Sequence, residues 1–147
     1  MEVELRGAEQ LVALAKRLKA APKELRSELY RGINRAAKPL KNDVKASARK
    51  RLPRKGGLNK KIAGTKIATK RRVSGDSAGV RLVGTSGYDI GSINRGRIRH
   101  LTYGHKPWVN QVVPKGFWTD PLVAGAPKVQ AEVQDVMDTI TKQLGAG

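Results

Sequence analysis

The spacing of apolar and polar positions predicts three helices in this chain. Apolar residues recur every three or four positions over residues 8–20, 22–51 and 121–144, which is the spacing of a helix with one apolar face. The second helix contains Pro39, and we predict a kink there because proline has no N–H to donate. The apolar face of the third helix comprises Leu122, Ala126, Val129, Val133, Val136, Ile140 and Leu144, with Met137 beside them.

Two-residue alternation of apolar and polar positions predicts the strands. A first strand covers residues 2–5, a pair of strands covers 67–73 and 79–83, and a second pair covers 98–103 and 108–113. Turn residues separate the two strands of each pair, and the glycine-rich segment between the pairs has the composition of a loop.

The order of these elements predicts an α+β fold. Two hairpins imply an antiparallel sheet, and three amphipathic helices need an apolar surface to cover. We predict an antiparallel β-sheet of about four to five strands with three helices packed on one face, plus a long basic loop or arm. The length of 147 residues suits a single domain over residues 1–147, with the arm, residues 49–72, inserted in it.

Positive charge is concentrated in the middle of the chain. The net charge is +18, and the densest segment, residues 49–72, holds 11 basic and no acidic side chains. Glycine and self-repulsion favour a mobile arm here. The cations are Arg49, Lys50, Arg51, Arg54, Lys55, Lys60, Lys61, Lys66, Lys70, Arg71 and Arg72.

This concentration of charge favours an anionic partner over a merely solvated arm. The partner is either the phosphates of a nucleic acid or an acidic protein surface. No aromatic residue lies between Arg49 and Arg72, so binding to a nucleic acid would be independent of base sequence.

Residues with catalytic or ligand chemistry are sparse. Away from the ends of the chain the carboxylates are Asp43, Asp76 and Asp89, which fall in three different predicted elements. His100 and His105 flank a predicted turn and have no acidic neighbour in the sequence. We therefore predict that the chain is not an enzyme and holds no metal or cofactor.

Neither a disulfide nor a membrane segment is predicted. The chain has no cysteine, which fits assembly in a reducing compartment. No apolar run approaches the roughly 20 residues of a membrane span, and the first residues lack the features of a signal peptide. We expect a soluble protein made in the cytoplasm, without membrane contact.

Aromatic residues are concentrated in the segment 98–121. It contains four of the six aromatic rings and both histidines. A hairpin is predicted first, a Pro-Lys-Gly turn follows, and Asp120 is predicted to cap the last helix. We predict that the segment supplies anchors of either the chain's own core or a subunit interface. These anchors are Trp108, Val109, Gln111, Phe117 and Trp118.

The same segment resembles a known family in its motifs. The matching residues are Arg99, His100, Tyr103 and Gly104, then Trp108, Val109 and Gln111 on a strand, then Pro114, Gly116 and Phe117 before the last helix. Gly7 with Ala8, and Gly57 with Leu58 after Pro53, match as well. This pattern is similar to that of the head-tail joining, or tail-completion, proteins of the neck of long-tailed bacteriophages.

The resemblance implies a structural virion protein that works through its interfaces. Such a protein forms a homo-oligomeric, hexameric ring between the DNA-filled head and the tail tube, next to head-closure and tail-tube or terminator rings, after assembly in the host cytoplasm. A tail terminator that caps the tube is an alternative, and a sequence-nonspecific nucleic-acid-binding protein is another. The basic arm departs from the family pattern, so it faces either DNA in the lumen or an acidic neighbouring ring.

Overall fold

The computed structural model describes residues 2–3, 8–74, 77–102 and 105–146 of the chain. These residues combine helices with short strands, as the α+β prediction required. The helices are α1 (Ala8–Leu18), α2 (Lys23–Arg51), α3 (Leu58–Ala63), α4 (Ile90–Asn94) and α5 (Thr119–Ala146). The strands are β1 (Glu2–Val3), β2 (Lys66–Ser74), β3 (Ser77–Thr85), β4 (Arg97–Thr102) and β5 (His105–Val112).

The strands form two antiparallel sheets, so the prediction of one sheet of four to five strands is wrong. The first sheet has the order β1-β3-β2, and the second consists of β4 and β5 alone. Strand β3 already has a neighbour on each side, β1 and β2. The chain then passes through α4 before β4 begins, and the second hairpin pairs only with itself among the described strands.

The predicted number of three helices is also wrong, because two short helices fall in segments predicted as loops. Helix α3 lies in the basic segment, and α4 lies in the glycine-rich segment between the hairpins. The Asp89 carboxylate caps α4 by accepting hydrogen bonds from the backbone N–H and the hydroxyl of Ser92, at 3.0 and 2.6 Å. These bonds hold the pKa of Asp89 below its usual range, the hydroxyl of Ser92 being the main cause.

The basic segment 49–72 is therefore not a long loop. It comprises the last turn of α2, a 3-10 helix over Lys55–Gly57, helix α3 and most of β2. Leu52, Ile62 and Ala63 of this segment are buried in the core. Burial of these side chains against the rest of the fold supplies the free energy that orders a segment of otherwise repelling cations.

Helices α2 and α5 form the main helical layer, and they run antiparallel. Gly32 faces Val136, and farther along α2 Leu40 faces Gly125. Helix α2 continues through Pro39, which is exposed. The predicted apolar stripe of α5 does line the core, because Leu122, Val129, Val133, Met137 and Ile140 are buried.

The first sheet has one face against the helices and one face in solvent. Val80, Leu82 and Ile67 are buried on the inner face, and helices α1, α2 and α5 all contact this sheet. The register places Lys70 opposite Arg81 on the outer face, where both are exposed.

Several predicted features lie outside the described residues. They are the end of the first strand with Gly7, the residues 75–76 between β2 and β3, and the pair Tyr103 and Gly104 between β4 and β5. In the described part of the chain, no helix combines the length and the apolar character that crossing a membrane requires.

Candidate assembly hairpin and basic groove

Phe117 and Trp118, two of the predicted anchors, belong to the core of the chain itself. Phe117 has no exposed surface and Trp118 is 3% exposed. Their rings meet edge to face with centroids 6.3 Å apart, a favourable arrangement for aromatic pairs. The edge of the Trp118 ring lies against Gly84 of β3, where a Cβ atom would be only 3.0 Å away. Glycine at this strand position thus admits the indole ring.

The start of α5 is held by a side chain from another element. The Asn94 Oδ1 atom accepts hydrogen bonds from the backbone N–H of Trp118 at 2.9 Å and of Thr119 at 3.2 Å. The backbone carbonyl of Asn94 also accepts from the Gly116 N–H at 2.8 Å. Helix α5 begins at Thr119, so the prediction of Asp120 as its N-cap is wrong. Asn94 satisfies N–H groups that have no partner within the helix.

Asp120 instead pairs with Arg51, one of the cations predicted to contact a partner. The Arg51 guanidinium lies 2.7 Å from the Asp120 carboxylate and donates a further hydrogen bond of 2.9 Å to the carbonyl of Gly116. Gly116 has φ +81°, which favours glycine, and a Cβ atom there would collide with the Asp120 carboxylate. Arg51 therefore joins the end of α2 to the start of α5, inside the chain.

The β4–β5 hairpin carries the remaining predicted anchors and is largely exposed. Trp108 is 50% exposed, Val109 is half-buried and Gln111 is exposed. The main contact of the hairpin with the rest of the described chain is with the neighbouring helix α4. An isolated two-stranded hairpin has little stability of its own in water, yet this hairpin keeps large apolar side chains exposed.

One face of the hairpin is both apolar and basic. The register places Leu101 opposite Trp108, and Arg97 opposite Val112, and opposite residues share a face. Val112 is 82% exposed, and the Arg99 guanidinium lies 5.0 Å from the centre of the Trp108 ring, within the range of a cation–π contact. We call Arg97, Arg99, Trp108 and Val112 the hairpin face.

His100 makes one short contact, with the neighbouring backbone. The His100 Nδ1 atom lies 3.1 Å from the carbonyl oxygen of Leu101, which fits a protonated nitrogen donating to it. His105 lies in β5, not in a turn, and its side chain is outside the described part. No group of three or more potential ligands is found among the residues that were described.

Cations predicted to bind an anionic partner meet in a groove where α2 ends. The groove has a volume of about 680 Å³ and is lined by Arg49, Arg54, Asn59, Lys60 and Gly64. The Asn59 side chain is buried and donates a 3.3 Å hydrogen bond to the carbonyl of Arg49. We call this the basic groove.

The other predicted contact residues are spread around the groove and the sheet. Lys50, Lys55 and Lys61 are exposed on the elements that form the groove. Lys66 and Lys70 are exposed on β2. Arg71 and Arg72 also lie on β2, but their side chains are not among those described. Arg51, by contrast, bonds within the chain.

Some residues of these two surfaces were not predicted. Arg97 and Arg99 belong to the hairpin face; Arg99 was singled out only by the resemblance, and Arg97 lay in the segment predicted as a loop. No pattern in the sequence indicated Asn59 and Gly64 of the basic groove, because their role depends on how α3 folds back on α2. A second groove, of about 660 Å³, follows one side of α2 and is lined by both acidic and basic side chains.

Comparisons of the chain with models of protein families, with curated proteins and with solved structures found no match.

Proposed function

We propose that this chain is a structural protein of the neck of a long-tailed bacteriophage. Copies of the chain would assemble into a homo-oligomeric ring that joins the DNA-filled head to the tail tube. The protein would act through the geometry of its contacts and not through catalysis. The observation that carries the proposal is the exposed β4–β5 hairpin, which presents Trp108 and Val112 on one face.

The hairpin also contains most of the motif that resembles phage neck proteins. Arg99, Trp108 and Gln111 of that motif lie on β4 and β5, while Phe117 lies in the core. A segment that both carries the family pattern and exposes apolar surface is suited to contact a neighbouring copy. Each copy would offer one hairpin to the next, which is a head-to-tail contact that closes into a ring.

Burial of the hairpin face would contribute a substantial free energy to a contact between subunits. Covering the exposed half of Trp108 would contribute about 2–3 kcal/mol per contact. Aromatic residues and arginines are the side chains that most often dominate interface energies, and the hairpin face contains both. Repetition of the contact around a ring multiplies its effect.

Light scattering and electron microscopy of the purified chain, alone and mixed with tail-tube protein, test the proposal. We expect rings from the natural chain and a shift to monomers when Trp108→Ser and Val112→Ser are combined. Tyr88→Ser is the matched control, because Tyr88 is an exposed aromatic residue outside the hairpin, and it should leave the rings intact. Monomers of the natural chain under both conditions would contradict the proposal.

A second experiment, with head connectors and with polymerising tail tubes, separates a neck protein from a tail terminator. A neck ring should bind both the connector of the head and the end of the tail. A terminator should bind tail tubes alone and stop their growth. Micrographs of tubes polymerised with and without the chain show which of the two occurs.

A further inference from the structure

The basic groove combines concentrated positive charge with a fixed framework. Arg49, Arg54 and Lys60 contribute three cations, and no carboxylate is found among its described lining residues. No ion pair within the described part of the chain neutralises these three side chains. Their mutual repulsion opposes folding, and a bound polyanion would relieve it.

Backbone geometry and buried contacts fix the groove in place. Gly56 and Gly57 have φ of +78° and +74°, which lets the chain reverse direction after α2. Asn59 then ties α3 to α2 through its side chain, and its backbone N–H donates to the carbonyl of Pro53 at 3.2 Å. The backbone positions that carry the cations are therefore fixed by the fold and do not belong to a free arm.

The shape and the lining of the groove indicate the class of ligand. The groove has a volume of about 680 Å³, which is too large for a single small anion, so an extended polyanion fits it better. No aromatic ring lines it among the described residues, whereas proteins that bind single strands usually stack bases on aromatic side chains. The sugar–phosphate backbone of a duplex needs no such stacking.

We propose that the basic groove is a binding site for the phosphate backbone of duplex DNA, independent of base sequence. Arg49, Arg54 and Lys60 contact phosphates, while Lys50, Lys55 and Lys61 raise the local positive potential. Gly64 lines the groove without a side chain, which lets the backbone of the ligand approach closely. This site does not depend on ring assembly or on the neck function, because it is built entirely from α2, α3 and their connection.

Titration of a random-sequence duplex by fluorescence anisotropy, at several salt concentrations, tests this site in the full-length chain. We expect micromolar or tighter binding at physiological salt. Changing Arg49, Arg54 and Lys60 together to serine should reduce the slope of log K against log salt by about three, since each phosphate contact contributes about 0.9. The corresponding loss of affinity at 0.15 M salt is about 100-fold.

The matched control removes three charges elsewhere. Lys16, Lys19 and Lys142 are exposed and lie outside the groove, and their combined change to serine should alter the slope by less than about one. If the two triple variants had equal slopes of log K against log salt, the proposed site would be contradicted, because net charge alone would then explain binding. The proposal would also be overturned if the natural chain did not bind the duplex even at concentrations about 100-fold above the expected dissociation constant. That result would favour an acidic protein partner.

Two further measurements keep the outcome unambiguous. Tighter binding to a single strand of the same sequence than to the duplex would contradict the choice of ligand. If circular dichroism shows that the triple variant is not folded, Lys60→Glu replaces it, with Lys142→Glu as its control. The affinity for the duplex should then fall for Lys60→Glu and not for Lys142→Glu. Light scattering of the groove variant should show the same oligomer as the natural chain, which separates failure of this site from failure of the ring.

Discussion

The side-chain amide of Asn94 joins two segments that are distant in sequence. Its oxygen accepts two backbone hydrogen bonds from the start of α5, and the Thr119 hydroxyl lies 3.4 Å away as a third donor. The same helix start directs Phe117 and Trp118 into the core. Loss of this acceptor would leave half-buried N–H groups without a partner, which is costly.

Asn94→Ala should therefore lower the free energy of unfolding by about 1–3 kcal/mol. Asn94→Asp is the matched control, because it keeps an acceptor oxygen and places a negative charge near a helix N-terminus, where it is favourable. Urea denaturation of the two variants measures the difference. An alanine variant as stable as the natural chain would show that the amide is not needed to hold α5.

Thr65 presents the opposite case, a buried polar atom without a partner. Thr65 is 5% exposed, and its hydroxyl makes no hydrogen bond within the described residues. Thr65→Val has nearly the same shape and removes the cost of burying the hydroxyl. We expect the melting temperature to rise, with a gain of about 1 kcal/mol.

Thr85 serves as the control for this substitution. It lies at the exposed end of β3, so Thr85→Val should change stability by no more than about 0.5 kcal/mol. Destabilisation by Thr65→Val in thermal unfolding would indicate that the hydroxyl makes an essential interaction.

At the scale of elements, the contact between α2 and α5 depends on glycine. A Cβ atom on Gly32 would lie 2.5 Å from one Cγ atom of Val136 and 2.9 Å from the other. Valine is stiff at χ1, so its methyl groups have little room to move away. Gly125 accommodates Leu40 in the same manner farther along the pair. The two helices thus approach closely because each offers a glycine to the other.

Gly32→Ala should destabilise the chain by about 1–2 kcal/mol, although alanine is the better helix former. The double variant with Val136→Ala removes the colliding methyl groups and should be less destabilised than the sum of the single variants by at least about 1 kcal/mol. Gly145→Ala is the control, because no atom lies within 4 Å of its added Cβ. A Gly32→Ala variant more stable than the natural chain in urea denaturation would contradict the close approach.

Element boundaries differ in how far local sequence could predict them. The stripe of α5 and the two hairpins followed from periodicity, and the structure has them close to the predicted positions. Helix α3 was missed because its few apolar residues, such as Ile62, are ordered by contact with α2 and not by a long periodic pattern. Helix α4 was missed because the glycine-rich composition of its segment favoured the prediction of a loop. The N-cap that Asp89 provides was not recognised in the sequence.

At the scale of the whole molecule, the hairpin face and the basic groove share no residue and no element. The hairpin face lies on β4 and β5, while the basic groove lies at the junction of α2 and α3. Ring formation and DNA binding should therefore respond to different substitutions. This separation makes it possible to test the two proposals independently in one chain.

The sequence by itself determined the three longer helices, the two hairpins and where charge accumulates. These features depend on the spacing of neighbours in the chain and on composition. Only the tertiary structure decided that the strands divide into two sheets, that Arg51 pairs with Asp120 and that the basic segment folds back to form a groove. Each of these depends on contacts between distant residues, such as the 69 positions from Arg51 to Asp120, and local periodicity carries no information about such partners.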